Sequence, residues 1–133
     1  MAESTFRCTV VTPEQQLLEQ EVRHVSVPAW DGKVGILPHR APLLAKLGYG
    51  ELELDLSGGE SERYFIGGGF VQMKDDRLTV LTDEATPADQ IDRKEAEAAL
   101  KEALARRAIS PDEVAQRDRD TARARGMLAA VKQ

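Results

Sequence analysis

The sequence predicts a β + α fold: an N-terminal β-sandwich over residues 1–86, followed by a C-terminal antiparallel two-helix hairpin over residues 87–133. Apolar and polar residues alternate without error from Glu51 to Leu56, which is typical of a strand with one wet face. Short segments of this kind recur between turn signals, as they do in a sandwich or barrel. After Pro87 the composition shifts to the helix formers Ala, Glu, Lys, Arg and Gln.

The strands of the first part are separated by turn residues at 12–13, 31–32, 57–59 and 75–76. Asp31-Gly32 between two extended runs favours a hairpin. The triple glycine 67–69 lies between two predicted strands, and no Lys-Ser or Lys-Thr follows it, so we interpret it as a bulge or close backbone approach rather than a phosphate-binding loop. The predicted strands are residues 6–11, 22–27, 34–37, 51–56, 63–66, 70–73 and 78–82.

Two helix starts are readable in the second part. Thr86-Pro87 supplies an N-cap and a proline at the first helical position, so the first helix should run to about residue 107. Ser110 to Glu113 forms a capping box for a second helix, which should continue to about residue 131, interrupted only by Gly126. Mostly small residues line the predicted helix interface, so the hairpin should need a docking surface for stability. These residues are Ile91, Ala96, Ala99, Leu100, Ala103 and Leu104 on the first helix and Val114, Thr121, Ala122, Leu128 and Ala129 on the second.

Composition excludes several classes of function. The chain has 133 residues and a net charge of −5, which argues against nonspecific nucleic-acid binding. No apolar run reaches the roughly 18 residues of a membrane span, and the N-terminus is not expected to be a secretory signal. The single cysteine, Cys8, is expected to be a core residue, and two histidines without a cysteine cluster predict no metal site. The alternating carboxylates Glu51, Glu53 and Asp55 are expected to face water. We expect no enzyme.

Residues 30–44 form the candidate contact surface. A turn and a short apolar strand lead into a proline-bracketed loop that presents apolar side chains beside two cations. The loop contains no nucleophile, metal-ligand spacing or phosphate cradle, and we interpret it as a surface that binds a partner. The candidate partner-binding residues are Asp31, Lys33, Ile36, Leu37, Pro38, His39, Arg40, Ala41 and Pro42.

The order of motifs along the chain resembles that of the epsilon subunit of the bacterial and chloroplast F-type ATP synthase. The matching motifs are Val11-Thr12-Pro13-Glu14, Asp31-Gly32-Lys33-Val34-Gly35-Ile36-Leu37-Pro38, Ala41-Pro42-Leu43-Leu44, Gly50, Gly67-Gly68-Gly69-Phe70-Val71, Leu78-Thr79-Val80-Leu81 and Ile91-Asp92. The resemblance implies a non-catalytic central-stalk subunit whose sandwich binds the gamma subunit and the ring of c subunits. It also implies a hairpin that folds down, or extends toward the catalytic alpha and beta subunits and inhibits ATP hydrolysis. The expected location is peripheral, on the cytoplasmic side of the bacterial inner membrane.

Three loop positions depart from the family pattern. His39 stands in a small-residue position and Arg40 in the usual histidine position. Lys33 stands where some relatives carry an acid that meets the polar loop of the c ring. These changes are expected to alter contacts with the partner more than the architecture. The simpler interpretation is that Lys33 and Arg40 are charged loop residues exposed to solvent.

Some members of the family bind ATP between the two helices, and this resemblance nominates Ile91, Asp92 and Arg123 as ATP candidates. Glu95 replaces an arginine of that motif, and Met127 falls where another arginine would be. No bound cofactor is therefore expected. An ATP-sensing module remains the alternative function, and a sandwich adaptor outside any synthase is a third.

Charged residues are ordered along the second helix, with acids concentrated before Thr121 and basic residues after it. The helix dipole accounts for part of this order. The resemblance implies that basic residues here meet acidic segments of the catalytic subunits in the extended position; the simpler interpretation is a solvated face. The candidate inhibitory residues are Arg117, Arg119, Arg123 and Arg125.

Overall fold

Seven strands and two α-helices make up residues 4–131, the part of the chain that this computed structural model describes. Residues 1–3 lie outside the described part of the chain, and they belong to the N-terminal segment in which no secretory signal was expected. The elements are β1 (Phe6–Val11), β2 (Gln16–Ala29), β3 (Gly32–Ile36), β4 (Leu43–Leu56), β5 (Ser61–Lys74), β6 (Arg77–Leu81), β7 (Ala85–Pro87), α1 (Arg93–Ala105) and α2 (Pro111–Val131).

The strands surround a single apolar core. Their order is β1-β6-β5-β4-β2-β3, and β1 also pairs with β2, so the pairings close into a ring. Alternation places Leu52 and Leu54 of β4 inside, where both are fully buried. Cys8 is also fully buried, and burial raises the pKa of its thiol to about 12. The predicted fold class, a β-sandwich followed by a helical hairpin, is confirmed.

Several predicted strands are longer than the alternation indicated. Residues 63–66 and 70–73 belong to one continuous strand, β5, and the triple glycine lies inside it. The interpretation of these glycines as a junction between two strands was therefore wrong. Gly68 and Gly69 have φ angles of 81° and 114°, and a Cβ on Gly69 would lie 1.9 Å from the Leu81 carbonyl oxygen. Only glycine allows the strand to pass there.

The segment before the first helix also differs from the prediction. Residues 85–87 pair with β5 as β7, and a 3₁₀ turn follows at 88–90. The predicted N-cap at Thr86 was wrong, because the carboxylate of Asp92 caps α1 instead. Its Oδ1 accepts hydrogen bonds from the backbone nitrogens of Lys94 at 2.9 Å and Glu95 at 3.2 Å. The predicted domain boundary after residue 86 thus falls within β7.

The second helix begins as predicted. Ser110 Oγ accepts from the Glu113 backbone nitrogen at 3.1 Å, and Glu113 Oε1 accepts from the Ser110 nitrogen at 3.0 Å. Arg106, at the end of α1, donates to Asp120 Oδ2 at 2.7 Å, which joins the two helices and lowers the pKa of Asp120.

Docking of α2 on β4 and β5 determines which of its residues are buried. The helix passes through Gly126 without interruption, contrary to the prediction. A Cβ on Gly126 would lie 2.9 Å from the Gly50 nitrogen and from the Tyr49 carbonyl carbon, so the helix lies directly on strand backbone. Of the interface residues predicted for α2, Ala129 is exposed and the other four are half-buried. The fully buried residues of α2, Ala124, Gly126 and Ala130, were not among them. On α1, Ala96 and Ala103 are buried as predicted, whereas Ala99 and Leu104 are exposed.

Candidate partner-binding surfaces and the docked helix

The predicted contact loop lies on the surface between β2 and β4. The turn of its hairpin is Trp30-Asp31, one residue earlier than predicted. Ile36 is 0% exposed, so its place among the contact residues is corrected: its side chain belongs to the core. Pro38 is half-buried, and the remaining candidates are exposed, namely Asp31, Lys33, Leu37, His39, Arg40, Ala41 and Pro42.

His39 adopts an uncommon backbone conformation and contacts a neighbouring turn. His39 adopts a φ of 64°, a conformation that favours glycine. Its backbone nitrogen donates to Asp76 Oδ1 at 2.7 Å, and its ring Nδ1 lies 3.1 Å from Asp76 Oδ2. These two contacts fasten the contact loop to the turn between β5 and β6.

The strand carboxylates are less open to water than predicted. Glu51 is 12% exposed and lies between two cations: Lys33 Nζ is 3.2 Å from its Oε1, and Arg63 Nε is 3.3 Å from its Oε2. Glu53 and Asp55 are half-buried. Alternation correctly directed these side chains away from the core, but it could not show that α2 covers part of that face.

The sequence did not reveal a second apolar surface. Phe70 is 53% exposed and Leu81 46%, although both lie on strands whose neighbouring residues are fully buried. The two residues are paired across β5 and β6. Together with Val11 and Pro13 they line a groove of about 350 Å³. A signal was present, because each apolar side chain falls on the outward position of an alternating strand.

Arg123 connects α2 to the sandwich. Its Nε donates to Glu84 Oε1 at 2.8 Å, and its Nη2 pairs with Glu84 Oε2. This pair raises the pKa of the Arg123 guanidinium. The guanidinium also lies over the ring of Phe65, 5.9 Å from its centroid. In this position of the hairpin, Arg123 stabilises docking.

The other three candidate arginines point elsewhere. Arg119 and Arg125 are exposed, and Arg117 is half-buried with its Nε 3.7 Å from Asp118. Arg119 donates to Gln116 Oε1 at 2.9 Å. At about 100° per residue, Arg119 and Arg123 share one side of the helix, whereas Arg117 and Arg125 lie toward the opposite side. The four arginines therefore do not form one basic surface.

All three ATP candidates line one cavity of about 250 Å³ beneath the start of α1. Asp92 already caps α1, and Arg123 already pairs with Glu84. Glu95 and Met127 also line the cavity. The arrangement therefore offers a phosphate one guanidinium that is paired with an acid, beside further carboxylates.

Residues 4–131 contain no group of three metal-ligating side chains and no helix long and apolar enough to cross a membrane.

Comparison with known proteins identifies the family. Residues 5–88 match the family model of the ATP synthase delta/epsilon chain β-sandwich domain. The ATP synthase epsilon chain of Rhodopirellula baltica is 44% identical over 128 residues, covering 96% of this chain and 99% of that one. The epsilon chain of Solibacter usitatus is 41% identical over 107 residues, covering 80% and 78%.

A solved structure shows the same fold. A chain in the cryo-EM structure of the Euglena gracilis mitochondrial ATP synthase superposes with a TM-score of 0.88 at 24% identity, covering 98% of this chain and 84% of that chain. The chain therefore belongs to the family of ATP synthase epsilon chains, which are accessory and not catalytic subunits of that enzyme.

Proposed function

We propose that this chain is a rotor subunit that couples the c ring to the gamma subunit and inhibits ATP hydrolysis through its C-terminal helices. The observation that carries the proposal is the near full-length similarity to an epsilon chain, which includes both the sandwich and the hairpin. Within the synthase, the chain lies peripherally, on the cytoplasmic side of the bacterial inner membrane. Its coupling role requires two separate contact surfaces, and the sandwich carries two candidates.

The contact loop is the proposed surface for the c ring, and the apolar groove at Phe70 and Leu81 is the proposed surface for gamma. Exposed aromatic and aliphatic side chains in a groove are suited to a permanent protein partner. Cations at Lys33 and Arg40 suit an acidic or carbonyl-rich loop. The loop is held in place by Asp76, so little ordering is needed when it binds.

Replacing both Phe70 and Leu81 by Ser should weaken binding to gamma by about tenfold or more, because two apolar anchors of the groove are lost. Both side chains point outward, so the sandwich should stay folded. Calorimetric titration of purified gamma subunit with the parent chain and with the variant measures the change in affinity. Leu104→Ser is the matched control, since Leu104 is an exposed apolar residue of α1 that does not line the groove. Unchanged affinity in the double variant would assign gamma to another surface.

We further propose that the docked hairpin is the non-inhibiting position and that α2 leaves the sandwich to inhibit. The docked interface supports this, because the buried residues of α2 are small and are supplemented by polar contacts, among them the Arg123–Glu84 pair and the bond from Arg63 to Ala130. Such an interface buries little apolar area for its length. If the docked and undocked positions of the hairpin differ by only a few kcal/mol in free energy, one chain can exchange between them.

Substitutions of different arginines on α2 should then have opposite effects on the inhibition of ATP hydrolysis. Arg123→Gln removes the pair with Glu84 and should raise the undocked population roughly two- to fivefold, so inhibition strengthens. Neutralising Arg117, Arg119 and Arg125 together should weaken inhibition, because these side chains are proposed to meet acidic segments of the catalytic subunits. ATP hydrolysis by a catalytic complex depleted of epsilon and titrated with each variant measures both effects. A shift of the same sign in both variants would refute the separate roles.

ATP sensing is the alternative function, and the cavity shared by Ile91, Asp92 and Arg123 is the observation that favours it. Direct calorimetry with ATP separates the two functions. Saturable binding would support the sensor, and its absence would support the brake alone.

A further inference from the structure

Two arginines hold the C-terminal turn of α2. The last carbonyl oxygens of a helix lack partners within the helix. Here Ala130 O accepts from Arg63 Nη2 at 3.0 Å, and Val131 O accepts from Arg93 Nη2 at 3.3 Å. Positive charge is favourable at this end of the helix dipole. Arg93 belongs to α1, whereas Arg63 lies on β5, so the bond from Arg63 connects this turn to the sandwich.

Arg63 also belongs to a chain of contacts that reaches the exposed edge of the sandwich. Its Nε lies 3.3 Å from Glu51 Oε2, and Lys33 Nζ lies 3.2 Å from Glu51 Oε1. Glu51 is 12% exposed, whereas Lys33, on β3 within the contact loop, is 62% exposed. The path from solvent to α2 is therefore Lys33, Glu51, Arg63 and Ala130.

Reorientation of one guanidinium, that of Arg63, can couple the two ends of this path. Arginine binds a carboxylate strongly through two parallel N–H···O bonds, for example from Nε to one oxygen and from Nη2 to the other. Arg123 binds Glu84 in this way in the same molecule. Arg63 contacts Oε2 of Glu51 through Nε, while Lys33 contacts Oε1 and Nη2 of Arg63 donates to Ala130. A two-bond pair with Glu51 would turn Nη2 of Arg63 toward Oε1.

We propose that Lys33 controls the docking of α2. When an acidic group of a partner protein binds Lys33, Oε1 of Glu51 loses its cation in a largely buried position and takes Nη2 of Arg63. Ala130 O then loses its donor from the sandwich, and the C-terminal turn of α2 is released. The arrival of a partner at Lys33 rests on the proposed function. The coupling between Lys33 and α2 is a property of the chain alone.

Hydrogen exchange of the full chain tests this coupling. Lys33→Met keeps the aliphatic stem and removes the charge, and it should speed exchange in the last turn of α2 about fivefold. Lys46→Met is the matched control, since Lys46 is an exposed lysine of β4, and it should leave that turn unchanged. Core amides of β4 and β5 report in the same spectra that the sandwich is folded.

Repeating the Lys33 substitution in a chain that already carries Glu51→Gln makes the test specific. In a Glu51→Gln chain the neutral amide no longer competes for Arg63, so adding Lys33→Met should have no further effect on α2. Unchanged exchange in Lys33→Met alone would overturn the proposal. So would the same acceleration in both backgrounds, because Lys33 would then act without Glu51. Neither outcome depends on binding to gamma, which the groove variants measure separately.

Discussion

Gly126→Leu is expected to detach α2 from the sandwich while both parts stay folded. Any Cβ at this position meets strand backbone at 2.9 Å, at the Gly50 nitrogen and the Tyr49 carbonyl carbon, and backbone cannot rotate away as a side chain can. Overpacking of this kind costs about 1–3 kcal/mol or more. The helix itself should gain stability, because Leu exceeds Gly in helix propensity by roughly 0.5–1 kcal/mol.

Hydrogen exchange provides the readout for Gly126→Leu. Amides of α2 should exchange at least about tenfold faster than in the parent chain, since 1.4 kcal/mol corresponds to a factor of ten. Core amides of the sandwich should be unchanged. Ala129→Leu places the same side chain on an exposed position of the same helix and should leave docking intact. Equal protection of α2 in the parent chain and in Gly126→Leu would show that the helix does not depend on this close approach.

Gly69→Ala is expected to lower the stability of the sandwich itself. The methyl group would lie 1.9 Å from the Leu81 carbonyl oxygen, and φ is 114°, so clash and backbone strain act together. A strained φ alone costs about 1–3 kcal/mol. A total loss of about 3 kcal/mol corresponds to a fall in melting temperature on the order of 10 °C for a chain of this length.

Thermal unfolding measures this loss. Gly58→Ala is the control, because a Cβ on Gly58 has no atom within 4 Å, and its melting temperature should change little. Equal melting temperatures for the two variants would contradict the reason given for a glycine at position 69.

Alternation predicted the sandwich well because one buried core imposes it on every strand around that core. It failed where a strand changes conformation without losing its pairing. Residues 61–74 were divided in two because three glycines usually end a strand, yet here Gly68 and Gly69 let β5 pass beside Leu81. The start of α1 was misplaced for a similar reason: Thr86 is a good cap in isolation, but its segment pairs with β5 and leaves capping to Asp92.

The contacts between α2 and the sandwich could not be predicted from the sequence, because they join residues that are far apart in the chain. Arg123 was nominated from its helix and its family position, and nothing local indicates Glu84 as its partner. Glu51 was correctly placed outside the core, but nothing local in the sequence indicates that it is largely buried between Lys33 and Arg63. Gly126 looked like a helix break, since the strand backbone that requires it lies more than seventy residues earlier.

The most direct test of the proposed brake is ATP hydrolysis by an epsilon-depleted catalytic complex titrated with the full chain and with a chain ending at Gln90. Ending there keeps β7, which pairs with β5. We predict that both chains bind the complex and that only the full chain inhibits hydrolysis. Equal inhibition by both would place the inhibitory contact in the sandwich and contradict the role of the hairpin.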